Sequence, residues 1–221
     1  VYVLDDAAEG RWAPGGASRW WLHHSLAALD AALREKGSRL LLARGPAAEI
    51  IPSLQTATGA GAVFWNRRYE PAAIARDTAL KAALTAAGVE TRSWNSALLF
   101  EPHEVKNREG GPFKVFTPYW RHSLTLPVTE PVRAPAGSIP APARWPGSLA
   151  LAELSLLPRI RWDAGIAAAW QPGEVAARER LKRFKNGPGF YSTESYQVCD
   201  YDSLTFEKAE RFLAALSDMG R

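Results

Sequence analysis

Cysteine and methionine are almost absent. The 221 residues hold one of each, Cys199 and Met219. A single thiol excludes an internal disulfide framework and points to a reducing, cytoplasmic location. No apolar run approaches the roughly 20 residues needed to cross a bilayer, so no membrane partner is expected. The first residues do not read as a signal peptide. The loops that cradle phosphates are missing too: there is no Gly-x-Gly-x-x-Gly and no Walker-type sequence. Without Gly-x-Ser-x-Gly, a serine on a strand-to-helix elbow has no candidate. His23 and His24 are neighbours on a helix and point to different faces. His103 and His122 lie in unrelated contexts, and no Cys/His spacing suggests a metal.

Tryptophan, by contrast, is abundant. Nine occur: Trp12, Trp20, Trp21, Trp65, Trp94, Trp120, Trp145, Trp162 and Trp170. They read as large apolar surface for cores and interfaces rather than as an electron relay. Hydrophobic content of 47% and charged content of 23% are those of a globular protein able to bury a sizeable core. The net charge of +4 permits contact with nucleic acid without arguing for it.

Strand and helix patterns alternate along the first hundred residues. Val1 to Leu4 reads as a strand ending at Asp5-Asp6. A Gly- and Ala-rich loop leads to a helix with Ser18 as its N-cap, running to about Lys36 and stopped by Gly37. Its apolar positions Trp21, Leu22, Leu26, Leu29 and Leu33 recur every three or four residues and make one stripe. Arg39 to Ala43 is the next strand, and Pro46 to about Thr58 the next helix. Ala62 to Trp65 follows as a short apolar strand, ending in the polar elbow Asn66 to Glu70. Pro71 then starts a helix to about Ala87, suited to a first turn by its fixed φ. Glu90 to Trp94 is the last strand. This alternation predicts a parallel sheet with crossover helices and a ligand crevice at the carboxyl ends of the strands.

Three segments carry a resemblance. Ala62 to Asp77, with Trp65-Asn66 leading through Tyr69-Glu70-Pro71 to Ala75-Arg76-Asp77, is similar to the N-terminal domain of the DNA photolyase/cryptochrome family. So is Lys114-Val115-Phe116-Thr117-Pro118, where Thr117 is placed to cap a short helix. Trp162-Asp163-Ala164-Gly165, Trp170 to Glu174 and the helix to Phe184 resemble the start of that family's helical flavin domain. The resemblance implies an α/β fold, a Rossmann-like parallel sheet with flanking helices, followed by a Pro-rich linker and short C-terminal helices. Residues 1–125 are then the α/β domain, 126–172 the linker and 173–189 the start of the FAD-binding domain. Val1 opens inside a strand with no methionine before it, so a piece of a longer chain is expected. The family's opening strand, absent here, would lie between the first and third strands; either those two close up or a central slot stays open.

The function the resemblance implies is that of a deoxyribodipyrimidine photolyase, which repairs pyrimidine dimers in damaged DNA with light and FAD. This chain would be its antenna-chromophore domain, with no catalytic residue and no FAD site of its own. One rival is a cryptochrome-like blue-light photosensor, another an unrelated small α/β nucleotide-binding protein. Family positions that line an antenna pocket for deazaflavin, folate or flavin match Asp5, Arg19 and Glu70. Arg68 stands where an acidic neighbour of the deazaflavin type is often found. Ala72 and Ala73 replace the Asn-Glu pair of the folate type. Both departures weigh against those two chromophores.

Beyond Phe190 the resemblance ends. Residues 190–221 hold six acids and three bases, net −3, against 24 bases and 17 acids, net +7, before them. A strand at Tyr196 to Val198 and an amphipathic helix near Phe206 to Leu216 are expected there, loosely held and open to protease between Asn186 and Ser203.

Overall fold

A computed structural model describes residues 1–128 and 135–186. The strand and helix expected for 196–198 and 206–216 lie outside the described residues. One compact unit holds Val1–Trp94 and Pro135–Glu179; the described residues 95–128 and 180–186 belong to a second.

In the first unit the elements alternate as the sequence predicts. They run β1 (Tyr2–Leu4), α1 (Asp6–Glu9), α2 (Gly16–Glu35), β2 (Leu42–Arg44), α3 (Ala47–Thr58), β3 (Ala62–Asn66), α4 (Pro71–Ala86) and β4 (Glu90–Trp94). Helix α1 is a single turn that sequence periodicity cannot reveal. It forms because the Asp5 carboxylate accepts the Ala8 N–H at 3.1 Å. Helix α2 starts earlier than expected: Gly15 is its N-cap and Ser18 lies inside the first turn. Gly15 supplies the extended backbone a cap needs, and a Cβ on Gly16 would sit 2.8 Å from the Trp162 ring. Its end is as expected. Gly37 adopts φ 77°, and the Gly37 and Ser38 N–H groups bond Arg34 and Leu33 carbonyls.

All strand pairing is parallel, but the sheet is in two pieces. β1 pairs β2 with Tyr2 opposite Leu42, and β3 pairs β4 with Ala62 opposite Glu90. Among the described residues no strand joins β1 to β3. Each piece has its own core. Leu4, Leu26, Leu40, Leu42, Leu154 and Leu156 make one; Leu80, Leu84 and Val89 make the other, with Ile51, Val63 and Trp65 against them. A cavity of about 870 Å³ lies between, lined by residues of β1, α2, α3, β3 and α4. Of the two sequence-based alternatives, the open slot is the one realised.

The outer edge of β2 is covered by the Pro-rich stretch. Leu42 donates its N–H to Ser148 Oγ at 2.9 Å and accepts the Leu149 N–H at 2.8 Å. Proline-rich chain cannot build a ladder, but alternate polar groups of an extended segment still reach a strand edge. The Arg39 guanidinium lies 4.5 Å over the Trp145 ring. Leu154 and Leu156, on and after the 3₁₀ turn Leu151–Leu154, are fully buried at 0% and 3% exposure. Next, Trp162 meets Gly16, and the buried Trp20 donates its indole N–H to Asp163 at 3.1 Å. Trp21 stands edge-on to Trp170, just beyond α6 (Ala164–Ala169). Trp20 is 2% exposed, whereas Trp21, Trp162 and Trp170 are 39%, 46% and 48% exposed.

In the second unit, α5 spans Phe116–Ser123. Its N-cap is Val115, not Thr117, which lies one residue inside. Val115 has the extended backbone a cap needs, and no side-chain bond forms there. Phe116 stacks on Trp120, and Phe113 packs edge-on to Tyr119. The last helix, α7, spans Glu174–Asn186.

Candidate functional site

The carboxyl ends of β1 and β3 lead into a cluster of charged residues. Backbone alternation turns the chain out of each strand at this end, into Asp5 after β1 and into the elbow after β3. Helix α1 places Asp6 and Glu9 three residues apart, on one face. Asp6 accepts two bonds from Arg19 of α2, at 2.8 and 3.2 Å, and lies 3.8 Å from Arg44. Arg19 also donates from Nε to the Pro14 carbonyl at 2.8 Å. Glu9 receives both guanidinium nitrogens of Arg68, one at 3.1 Å. Arg68 in turn donates to Glu70 at 2.9 Å.

The three residues singled out from the sequence thus converge on α1 by different routes. Asp5 caps it, Arg19 holds its first residue, and Glu70 reaches it only through Arg68. Of the three, Asp5 lines the 870 Å³ cavity, while Arg19 and Glu70 stand behind the wall. Asp6, Glu9 and Arg68 line it too, and of these the sequence had marked Arg68 only as a departure from an acidic family position. The sequence signal for the others was present in the Asp5-Asp6 doublet at a strand end. What was missing was the one-turn helix that carries Glu9 to Arg68.

Electrostatics fix the charge states of part of this cluster. Hydrogen bonds from Arg68 hold the Glu9 and Glu70 carboxyls below the usual carboxylate range. The same bonds push the Arg68 guanidinium up. Burial, then the nearby Asp6 charge, pushes the Tyr2 phenol up. Near neutral pH Glu9, Glu70 and Arg68 therefore stay ionised, which suits binding and orientation rather than proton transfer. The cavity wall beside them is apolar, with Trp12, Trp21, Leu22, Ile51, Leu54 and Phe64. A volume of about 870 Å³ falls in the range of small-molecule pockets, about 300 to 1,000 Å³. An aromatic ring system with a polar end fits that division of lining. Among the described residues no group of three His, Cys, Asp or Glu side chains could hold a metal ion. No described helix is long and apolar enough to cross a membrane.

The chain is similar to known proteins over most of its length. The family model "DNA photolyase" matches residues 1–136. The deoxyribodipyrimidine photo-lyase of Agrobacterium fabrum is 44% identical over 191 residues, covering 85% of this chain and 39% of that protein. Cryptochrome-1 of Arabidopsis thaliana is 33% identical over 217 residues, covering 93% of this chain and 30% of that protein. The crystal structure of a bacterial class III photolyase from Agrobacterium tumefaciens superposes with a TM-score of 0.75 at 41% identity, over 84% of this chain and 38% of that one. An archaeal photolyase from Sulfolobus tokodaii, described with two FAD molecules and a novel light-harvesting cofactor, shares the fold at a TM-score of 0.64 and 22% identity, over 85% of this chain and 40% of that one. The chain spans about two fifths or less of the length of these relatives. An unrelated nucleotide-binding protein is thereby ruled out: the chain belongs to the DNA photolyase family.

Proposed function

We propose that this chain is the antenna domain of a light-dependent pyrimidine-dimer photolyase, taking a flat chromophore into the cavity at the carboxyl ends of β1 and β3. The observation that supports it most is the junction of an apolar cavity with the paired cluster of Asp5, Asp6, Glu9 and Arg68, in a chain 44% identical to a photolyase. Trp21 and Leu22 offer apolar faces to a ring system. Arg68 offers guanidinium donors to a carbonyl or phosphate oxygen, and Asp5 offers a carboxylate to a hydroxyl. Arg19 and Glu70 act one step back, positioning Asp6 and Arg68. Bound there, the chromophore would absorb light and pass its excitation to the reduced FAD of the catalytic half. Repair chemistry, FAD and damaged DNA belong, in this reading, to the part of the relatives that this chain does not span.

Titrating the purified chain with FMN, a deazaflavin and methenyltetrahydrofolate, read by fluorescence, tests this. One of them should bind at one per chain, and Arg68→Ala should weaken it by about tenfold, the effect of losing a hydrogen bond to a charged group. Failure of all three to bind would end the antenna reading. A cryptochrome-like photosensor is the second reading, favoured by the match to Arabidopsis cryptochrome-1 across 93% of the chain. Dimer repair by a polypeptide of full relative length carrying this chain separates the two: a photosensor would show none.

A further inference from the structure

The polar end of the cavity carries a charge balance that any ligand has to meet. Four carboxylates line the cavity, Asp5, Asp6, Glu9 and Asp77, against two guanidiniums, Arg68 and Arg76. Behind that wall Arg19 and Arg44 lie on Asp6, and Glu70 lies on Arg68. Five acids against four bases leave the cluster at −1. The four cations are all engaged: Arg68 by Glu9 and Glu70, Arg76 by Asp77 at 2.7 Å, Arg19 and Arg44 by Asp6. Among the described residues Asp5 has no cation of its own; it accepts the Ala8 N–H. Glu9 and Glu70 do not give way by taking up a proton, because the Arg68 hydrogen bonds hold both below the usual carboxylate range. The Val1 amino group stands at the other end of β1, about 13 Å along the strand from Asp5.

We infer that this site selects its chromophore by charge, taking a ring with an uncharged, hydroxyl-bearing tail and turning away the same ring with a phosphate on that tail. This selectivity rests on the chromophore reading above and narrows its ligand class. A phosphate monoester carries about −1.5 to −2 at pH 7 and is held by unengaged cations or by free N–H groups at a helix start. Here those donors are spent. The Ala8 N–H of α1 is taken by Asp5, and α4 begins with Pro71, which has no N–H. At the start of α2, the Arg19 side chain is spent on Asp6 and the Pro14 carbonyl. A phosphate would therefore have to break an ion pair, leaving a carboxylate without its partner, or lie beside a cluster of its own sign. An uncharged ligand disturbs nothing. Its hydroxyls can donate to Asp5. Arg68 uses three of its five N–H groups on Glu9 and Glu70, which leaves donors for a neutral ring carbonyl.

Riboflavin and FMN are the matched probes, since they differ only by the phosphate. Titrated into the full 221-residue chain and read by flavin fluorescence, riboflavin should bind at least about tenfold more tightly. Raising NaCl from about 0.05 to 0.5 M screens the repulsion and should strengthen FMN alone. Asp5→Asn removes one negative charge but keeps a good helix cap, so it should narrow the ratio by about threefold through tighter FMN binding. FMN binding as tightly as riboflavin, or weakening as salt rises, would overturn the selectivity and leave the chromophore reading standing. If the ring taken is a pterin, methenyltetrahydropteroate and methenyltetrahydrofolate are the matched pair, and the added glutamate should weaken binding in the same sense; equal affinities would overturn the selectivity there too. Binding of none of these four probes would end the chromophore reading and the selectivity with it.

Discussion

Gly16 shows how much one missing side chain can decide. At a first helical turn, alanine is ordinarily the better residue by about 1 kcal/mol. Here its Cβ would lie 2.8 Å from the Trp162 ring, and overpacking of that kind costs about 1–3 kcal/mol. Gly16→Ala should therefore lower the urea midpoint rather than raise it, and adding Trp162→Ala should recover part of the loss. A simple gain in stability would mean that the ring moves freely. Charge makes a second case. Glu9 has its carboxyl depressed by the Arg68 hydrogen bond from an ordinary value of 4.5. A depressed carboxyl adds stability above its unfolded pKa and loses it as pH falls through the folded one. Glu9→Gln should then cost about 0.5–1 kcal/mol at pH 7, as partly exposed pairs do. The difference from the parent chain should vanish well below pH 4.5. A penalty that persists in strong acid would place the effect in packing rather than in charge.

At the scale of elements, the Pro-rich stretch after residue 135 behaves as part of the α/β unit. It covers the β2 edge, stacks Trp145 under Arg39 and sends Leu154 and Leu156 into the core around Leu26 and Leu42. Leu154→Ala tests this directly. A side chain of 0% exposure leaves a cavity when truncated, at about 2–5 kcal/mol; a mere tether would lose almost nothing. Chemical denaturation of the variant decides between them. The elements of the sheet were legible because strands such as Ala62 to Trp65 are short apolar runs, and α2 carries a stripe at helical spacing. Boundaries were less so. Ser18 and Thr117 are good caps by residue type, yet the chain enters each helix earlier, where Gly15 and Val115 supply the required extended backbone.

For the whole described unit, the decisive feature is a sheet in two halves with a core in each. Leu84 sits in the β3, β4 and α4 core, and Leu26 in the β1, β2 and α2 core. With the slot between them, the halves should open as separate cooperative units. Leu84→Ala should speed amide exchange in β3 and β4 far more than in β1 and β2, and Leu26→Ala should do the reverse. Uniform acceleration would show one cooperative core.

What the sequence by itself determined was the local order: four strand-like runs, the helices between them, and the family motifs at Ala62 to Asp77 and Lys114 to Pro118. Propensity, periodicity and turn residues act over a few positions, so they survive in one dimension. Asp5, Arg19 and Glu70 could be named from motif positions, but not how they meet. That Arg68 closes on Glu9, that Glu70 reaches α1 only through it, and that Asp6 and not Asp5 holds Arg19 were decided by tertiary structure. So was the choice between closing the sheet and leaving it open. The two strand pairs do not join, and a cavity of about 870 Å³, lined in part by α2, α3 and α4, lies between them. Contacts between residues as far apart as Glu9 and Arg68, 59 positions, have no local signature; only the folded chain brings them together.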